Sequence, residues 1–390
     1  MAQIQEGTTP LAVFEEVVED SYTTFNQVRG WKERLGRKAL GYFPVYFPEE
    51  MAHALNMLPV NLLGASGRLP LDIATAHTQS FVCSITKSVF QLASQNLLEP
   101  FEALIFSNIC DVARNLSGIM MRNFKERHHI DYIHYPINNS SENAVDYLEA
   151  EYMRVVKGLE QVSGVGLDDG RLREAIRLFN RKRQLLKTLL EIRRESPWLL
   201  PYHEYYTAVR AAEFMPVEEF LKMGEGLVQE VLSRDLRPAD RVRVVVVGNF
   251  CEQPPVMFMK TIEDAGCYIV WDEALIGPRW VGEVNPDAGN PVRALAEAYV
   301  KNPQPLTVRY HPSVDKHKHM LEVIKRTKAE GVVFITPKFC EPALYDYIIY
   351  KHSLDREGIP YLHLEYEEST SSFEHVRTMV ETFAESIMFD

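Results

Sequence analysis

The order in which short apolar runs and helical spacings alternate restricts this chain more than any other feature. KALGYFPVYF (38–47) reads as a strand, and PEEMAHALNM has helical spacing with acidic residues in its first turn. A short apolar LPVNLLG follows, then a helix (SITKSVFQLASQN), strand EALIF, and a helix beginning DVARNLSGIMMRNF. Strand IDYIHYPI (130–137) leads into NNSSENAVDYLEAEYMRVVKGLEQVSG, whose Asn/Ser start suits a helix cap. From Asp168 to Arg237 nearly everything is helical, broken at Pro197, Pro201 and Pro216, with capping-type starts at Asp168–Asp169 and ahead of VEEFLKMGEGLVQEVL. At RVRVVVVGNF (241–250) the alternation restarts, and its Val run suits a strand buried on both faces. A helix (PPVMFMKTIEDAG), strand CYIVWD and an irregular IGPRWVGEVNPDAGNP come next, then helices around VRALAEAYV and DKHKHMLEVIKRTKAEG. Strand VVFIT, a helix after Cys340, strand IPYLHLEYE and a closing helix SFEHVRTMVETFAESIM end the chain.

Parallel strands need a long crossover between them, which these helices supply. The expected fold is therefore α/β: two open, mostly parallel-sheet domains, at 1–165 and 239–390, joined by a helical connector at 166–238. Two such sheets with facing rims enclose an interdomain cleft, a favoured place for ligands. With 390 residues, 46% of them hydrophobic, both domains can bury real cores. The net charge of −12 argues against a nucleic-acid partner, since phosphate binding needs a basic face. No apolar run has bilayer length, and MAQIQEGTTPLAVFEEVVED lacks a basic n-region and an apolar h-region, so a cytoplasmic protein without membrane contact is expected. The basic segment RLREAIRLFNRKRQLLKTLLEIRR (171–194) reads as a solvated helix face, with a partner-docking surface as the alternative.

Five cysteines, at 83, 110, 251, 267 and 340, form an odd set without any CxxC pair, which speaks against disulfides and against the usual zinc spacings. Cys110 ends EALIFSNIC, Cys340 ends GVVFITPKFC and Cys83 closes SFVC, so each reads as strand, thiol, helix. The carboxyl ends of parallel strands form the ligand-binding rim, and a helix N-terminus biases a thiol toward thiolate. Three such thiols converging would suit an iron–sulfur cluster or zinc, with ordinary buried thiols as the alternative. Cys251 follows a strand end and is a supporting residue or an alternative ligand, whereas Cys267 begins a buried strand and belongs to the core. His311, His317 and His319 are metal ligands or, as the adjacent lysines suggest, a solvated helix face; His128 and His129 read as surface residues. Glu49 and Glu50 are capping carboxylates or acids reaching the cleft, and Arg114 and Asn115 either bind an anionic or carbonyl group or pack between strands. There is no GxxxxGK[ST] and no GxGxxG, Gly248 being a lone turn glycine, so ATP is not expected on this chain.

The segment SNICDVARNLSGIMM, with SFVC upstream and PKFCEP downstream, resembles the 2-hydroxyacyl-CoA dehydratase / benzoyl-CoA reductase family. GYFPVYFPEEMAHALNMLPVNLLG, VVVVGNFCEQPP and EYEESTSSFEHVRTMVETFAE extend the resemblance over most of the chain, and CDVARNLSG is most like the smaller substrate-binding subunit of ATP-dependent benzoyl-CoA reductase. The resemblance implies a [4Fe–4S] cluster held by Cys83, Cys110 and Cys340 in the interdomain cleft, with one iron left without a protein thiolate. It implies a cytoplasmic heterotetramer of anaerobic aromatic degradation. Its partners would be a homologous substrate-binding subunit and activator subunits that hydrolyse ATP and carry their own cluster. Reduced ferredoxin would supply two electrons to convert benzoyl-CoA, or another aryl-CoA, to a cyclohexadienoyl-CoA. The rival activities are a 2-hydroxyacyl-CoA dehydratase component working through a ketyl radical and a non-catalytic electron relay.

Overall fold

The computed structural model describes residues 8–44, 46–248, 251–274, 281–302, 304–305, 309–370 and 372–389. Among them the α/β expectation holds, with two four-stranded sheets. The first contains β1 (Lys38–Phe43), β2 (Met57–Asn61), β3 (Phe101–Ser107) and β4 (His129–Ile133), ordered β2-β1-β3-β4. The second contains β5 (Val242–Gly248), β6 (Cys267–Asp272), β7 (Gly331–Pro337) and β8 (Tyr361–Tyr366), ordered β6-β5-β7-β8. Every pairing is parallel, with Gly41 opposite Leu104 in one sheet and Val246 opposite Val333 in the other. Both sheets follow one plan: the second strand joins one side of the first, and the third joins the other.

The central strands are mainly apolar because helices cover both faces; β7 is buried along its whole length. One core runs through both sheets, uniting Phe101, Leu104 and Phe106 of β3 with Val244 and Val246 of β5. The helices Tyr202–Ala212 and Val217–Leu232, which begin just after Pro201 and Pro216, share it with the amino-terminal helix Pro10–Asp20. A second core covers the other face of the first sheet, where helix Ala144–Ser163 meets Pro291–Val300. The latter helix follows β6 in sequence yet is tied to the first half of the chain, Arg293 bonding Asp146 at 2.6 Å and Glu149 at 2.9 Å.

Several local expectations need correction. β1 stops at Phe43, because Pro44 offers no amide to extend a ladder; Val45 lies outside the described residues. SFVC is a turn rather than a strand, and Phe81 within it is 64% exposed. Neither Asn143 nor Pro216 places a side chain on its helix start, whereas Asp168 does cap, accepting from the Arg171 amide at 2.9 Å. His128 is buried, its Nδ1 donating to the Phe101 carbonyl at 2.7 Å, so it is no surface residue. Asn249, Phe250 and residues 275–280 of the irregular stretch lie outside the described residues.

The basic helix Asp169–Glu195 is not simply solvated either. Lys182 pairs with Glu49 and Arg183 with Glu50, while Arg173 donates to the carbonyls of Pro286 at 2.8 Å and Gly289 at 2.9 Å. Arg193 is fully buried, its guanidinium over the Tyr202 and Tyr205 rings at 4.8 and 5.0 Å and 3.7 Å from the Asp272 carboxylate. The apolar spacing was a true sign of a helix, but the acids that reach these cations arrive from distant segments.

Candidate functional site

In each sheet the chain reverses its direction of strand addition beside the first strand, between β1 and β3 and between β5 and β7. Ligands favour the carboxyl ends of strands at such switch points. Cys110, Cys251 and Cys340 each stand three positions beyond the last residue of a flanking strand: Ser107 of β3, Gly248 of β5 and Pro337 of β7. Cys110 and Cys340 are topological equivalents, each leaving the third strand of its sheet and opening the helix that follows. Phe339 has φ 65°, a left-handed conformation costing a side-chain-bearing residue about 1–2 kcal/mol. That strained turn delivers Cys340 to its helix.

Cys83, Cys110 and Cys340 occupy the N-cap positions of helices Ser84–Ser94, Asp111–Phe124 and Glu341–Glu357. Serine, threonine and aspartate usually take this place. Cys83 Sγ lies 3.2 Å from Thr86 Oγ1, and Cys110 Sγ accepts from the Ala113 amide at 3.5 Å. Helix ends should favour the thiolates, but burial outweighs them. It pushes the Cys83 thiol up to about 12, with Glu252 adding to the rise and Thr86 opposing it. Burial also raises Cys110 against the amides of Ala113 and Val112, and Cys340 against that of Ala343. The expected bias toward thiolate is therefore corrected: without a metal these groups carry their protons.

The thiols do share one neighbourhood. Cys83 and Cys110 add to the rise of Cys340, while Cys251 is raised by burial and then by Cys110, Cys340 and Cys83 in turn. A single zinc ion needs thiolates about 2.3 Å from one point, and among the described residues no three His, Cys, Asp or Glu side chains converge that tightly. A multi-iron cluster carries its ligands on outer corners and accepts sulfurs set further apart. This all-sulfur donor set suits a cluster better than a lone ion.

Two acids missed in sequence fasten the halves together beside the thiols. Glu252 accepts from the Ser84 hydroxyl and, at 3.0 Å, from the Ile85 amide, so it caps the Cys83 helix from the second sheet. Glu368 accepts from the Ser88 hydroxyl, and its own amide donates to Ser84 Oγ at 3.1 Å. Tyr366 donates to the Glu252 carbonyl. Burial raises both carboxyls above the usual range. The signal available in sequence was an acid directly after Cys251, in CEQPP. A cavity of about 390 Å³ opens between Ser66–Arg68 on one side and Pro255–Met257 and Glu368–Thr370 on the other, but the thiols are not among its lining residues.

The remaining candidates fall elsewhere. Glu49 and Glu50 lie in the first helical turn after β1 yet serve Lys182 and Arg183 rather than the helix end. Arg114 is exposed and paired with Asp111 at 2.9 Å, and Asn115 is exposed beside it. His319 meets Glu273 at 3.0 Å, His317 contacts Ser353 and His311 contacts Ser313, so the three histidines serve separate partners. Cys267 is wholly buried in the core, as expected.

Two parallel four-stranded sheets, with cysteines placed just beyond the carboxyl ends of β3, β5 and β7, define the chain as an α/β protein of paired open sheets. The chain belongs to the family of the 2-hydroxyglutaryl-CoA dehydratase D-component, whose family model matches residues 44–387. It is 33% identical to one of the subunits of benzoyl-CoA reductase from Thauera aromatica, the alignment covering 97% of each chain. It is 25% identical to the (R)-phenyllactyl-CoA dehydratase beta subunit of Clostridium sporogenes, over 96% of this chain and 97% of that one. The beta subunit of (R)-2-hydroxyglutaryl-CoA dehydratase from Acidaminococcus fermentans is also 25% identical, over 96% and 99%. The relatives are subunits of reductases and dehydratases, and this chain is an enzyme subunit of that family. Among the described residues no helix is long and apolar enough to cross a membrane.

Proposed function

We propose that this chain is the iron–sulfur subunit of an ATP-dependent aryl-CoA reductase of the benzoyl-CoA type, with Cys83, Cys110 and Cys340 as cluster ligands. The observation that carries the activity is the 33% identity to a benzoyl-CoA reductase subunit, against 23–26% for the dehydratase relatives. The ligand assignment is supported by three thiols at three helix starts, all within reach of one another's charge. When bound, the cluster supplies low-potential electrons one at a time. The chain's own work is to hold the partly buried Cys83 and Cys110 and the buried Cys340 in place, with Glu252 and Glu368 fastening the Cys83 helix across the two sheets.

Addition of two electrons and two protons turns benzoyl-CoA into a cyclohexadienoyl-CoA. As the family resemblance implies, ATP hydrolysis belongs to activator subunits, with which the absence of a P-loop in this sequence is compatible; reduced ferredoxin is the donor, and a homologous chain completes the cytoplasmic assembly. Phe81, Phe339, Leu344, Tyr345 and Ile348, all exposed apolar residues near Cys83 or Cys340 in sequence, support a covered partner face there. Iron and acid-labile sulfide in the anaerobically purified complex test the site: both should fall in Cys83→Ala, Cys110→Ala and Cys340→Ala but not in Cys267→Ala. Product analysis tests the reaction: net reduction of an aryl-CoA supports it, and redox-neutral loss of water from a 2-hydroxyacyl-CoA replaces it with a dehydratase.

A further inference from the structure

We infer that Cys251 is a fourth protein ligand, closing the cluster held by Cys83, Cys110 and Cys340, so that this chain stores and passes electrons rather than binding the thioester at an open iron. The inference rests on the cluster reading above and specifies which part of the chemistry this subunit performs.

Placement carries the argument. Cys251 follows β5 by the same three positions that separate Cys110 from β3 and Cys340 from β7. Strands β5 and β7 flank the switch point of the second sheet, so Cys251 and Cys340 leave adjacent strands on the same rim. The next residue, Glu252, reaches the Ser84 hydroxyl and the Ile85 amide, which brings the Cys251 backbone to the start of the Cys83 helix. Cys251 is buried. Its neighbour Glu252 is thus bonded to the start of the Cys83 helix, and its own strand lies beside the one that leads to Cys340. The mutual electrostatic influence of the four sulfurs agrees with that placement. Cys267 lacks such a position: it opens β6 at the opposite end of the sheet from the rim.

Closure of the site is redox-neutral. The Cys251 thiol loses its proton to solvent, its sulfur bonds the fourth iron, and the water or hydroxide held there leaves. An iron with four sulfur neighbours offers no position to a substrate oxygen. Reduction of the thioester then falls to the homologous partner, and this chain becomes its electron store.

The test compares the wild-type complex with Cys251→Ala and Cys251→Ser, each containing the full chain and its co-expressed partners. Reduced samples are examined by electron paramagnetic and electron–nuclear double resonance in isotopically enriched water, then titrated with cyanide. The signal that changes between wild type and variant is this chain's cluster. The inference expects the variants to retain iron and sulfide, to gain a water-oxygen coupling and cyanide binding absent from that signal in wild type, and to shift its reduction potential. Unchanged spectra, potential and cyanide response in iron-loaded variants overturn it and leave the three-thiol site standing. Should both variants lose the cluster, the wild-type signals decide: water coupling on every reduced cluster overturns the inference, and a cluster without it upholds a closed site. A wild-type chain without sulfide in the complex overturns the cluster reading itself.

Discussion

Gly64→Ala should destabilise the protein by about 2–5 kcal/mol, the sum of a backbone cost and the loss of hydrogen bonds to a buried carboxyl. Gly64 has φ +77°, where a side-chain-bearing residue costs about 1–2 kcal/mol. A methyl group there would lie 1.9 Å from Glu368 Oε1 and 3.1 Å from Ile85 Cγ1. Glu368 cannot swing into solvent, being 4% exposed, and its other oxygen accepts from the Ser88 hydroxyl and from the Ala65 amide at 3.4 Å. Forcing that carboxyl away forfeits those bonds, worth about 1–3 kcal/mol when a buried polar group is left unsatisfied. Gly36→Ala isolates the backbone cost, since Gly36 has φ +62° and nothing within 4 Å of the added methyl. Urea unfolding of both variants, read from the midpoints at equal slope, should place Gly64→Ala about 1–3 kcal/mol below Gly36→Ala. Equal stability of the two would refute the packing of Glu368 against the 64–67 turn. Since that carboxyl accepts from Ser88 and the Glu368 amide donates to Ser84 Oγ, Gly64→Ala should also speed iron loss to a chelator while Gly36→Ala does not.

Burial, followed by Glu49, pushes Glu213 up to about 8 from an ordinary 4.5, so the folded state binds the extra proton between those values and stability falls as pH rises through them. Glu213→Gln should flatten that part of a stability–pH profile and be the more stable protein above about pH 8; an unaltered slope would place the titration elsewhere. Loading the site must release the protons held by raised thiols, so the initial rate of anaerobic reconstitution with iron and sulfide should climb between about pH 7 and about pH 9. A flat profile would contradict buried, protonated thiols. Arg193→Met leaves Asp272 buried without its guanidinium and should cost about 3–5 kcal/mol in urea unfolding, with Asp272→Asn restoring part of the loss in the double variant. Additive effects would show that the two side chains do not interact.

What could be read from sequence follows from the range of each interaction. Parallel strands buried on both faces announce themselves as apolar runs, so β3, β5 and β7 were legible, as were the rim positions of Cys110 and Cys340. Cys83 reached its helix start through a turn, and SFVC imitates a strand only because four residues are too few to display a period. Contacts across 168 residues, as between Ser84 and Glu252, or across 284, as between Ser84 and Glu368, leave no local trace. The same distance hid the fate of Lys182 and Arg193, whose partners come from the helix after β1 and from β6 respectively.

Thiol chemistry failed to read for a different reason. The helix start is a local property, and it does favour thiolate, but depth below the surface is set by the whole fold and has the larger effect on Cys83 and Cys340. A sequence therefore reports which cysteines stand at helix ends without reporting the protonation state they adopt there. Position relative to a strand end is the more robust guide, and it becomes sharp enough to use only once Ser107, Gly248 and Pro337 are known as the last strand residues. On that measure Cys251 ranks with Cys110 and Cys340 rather than with Cys267, as its place just after an apolar run in the sequence already suggests.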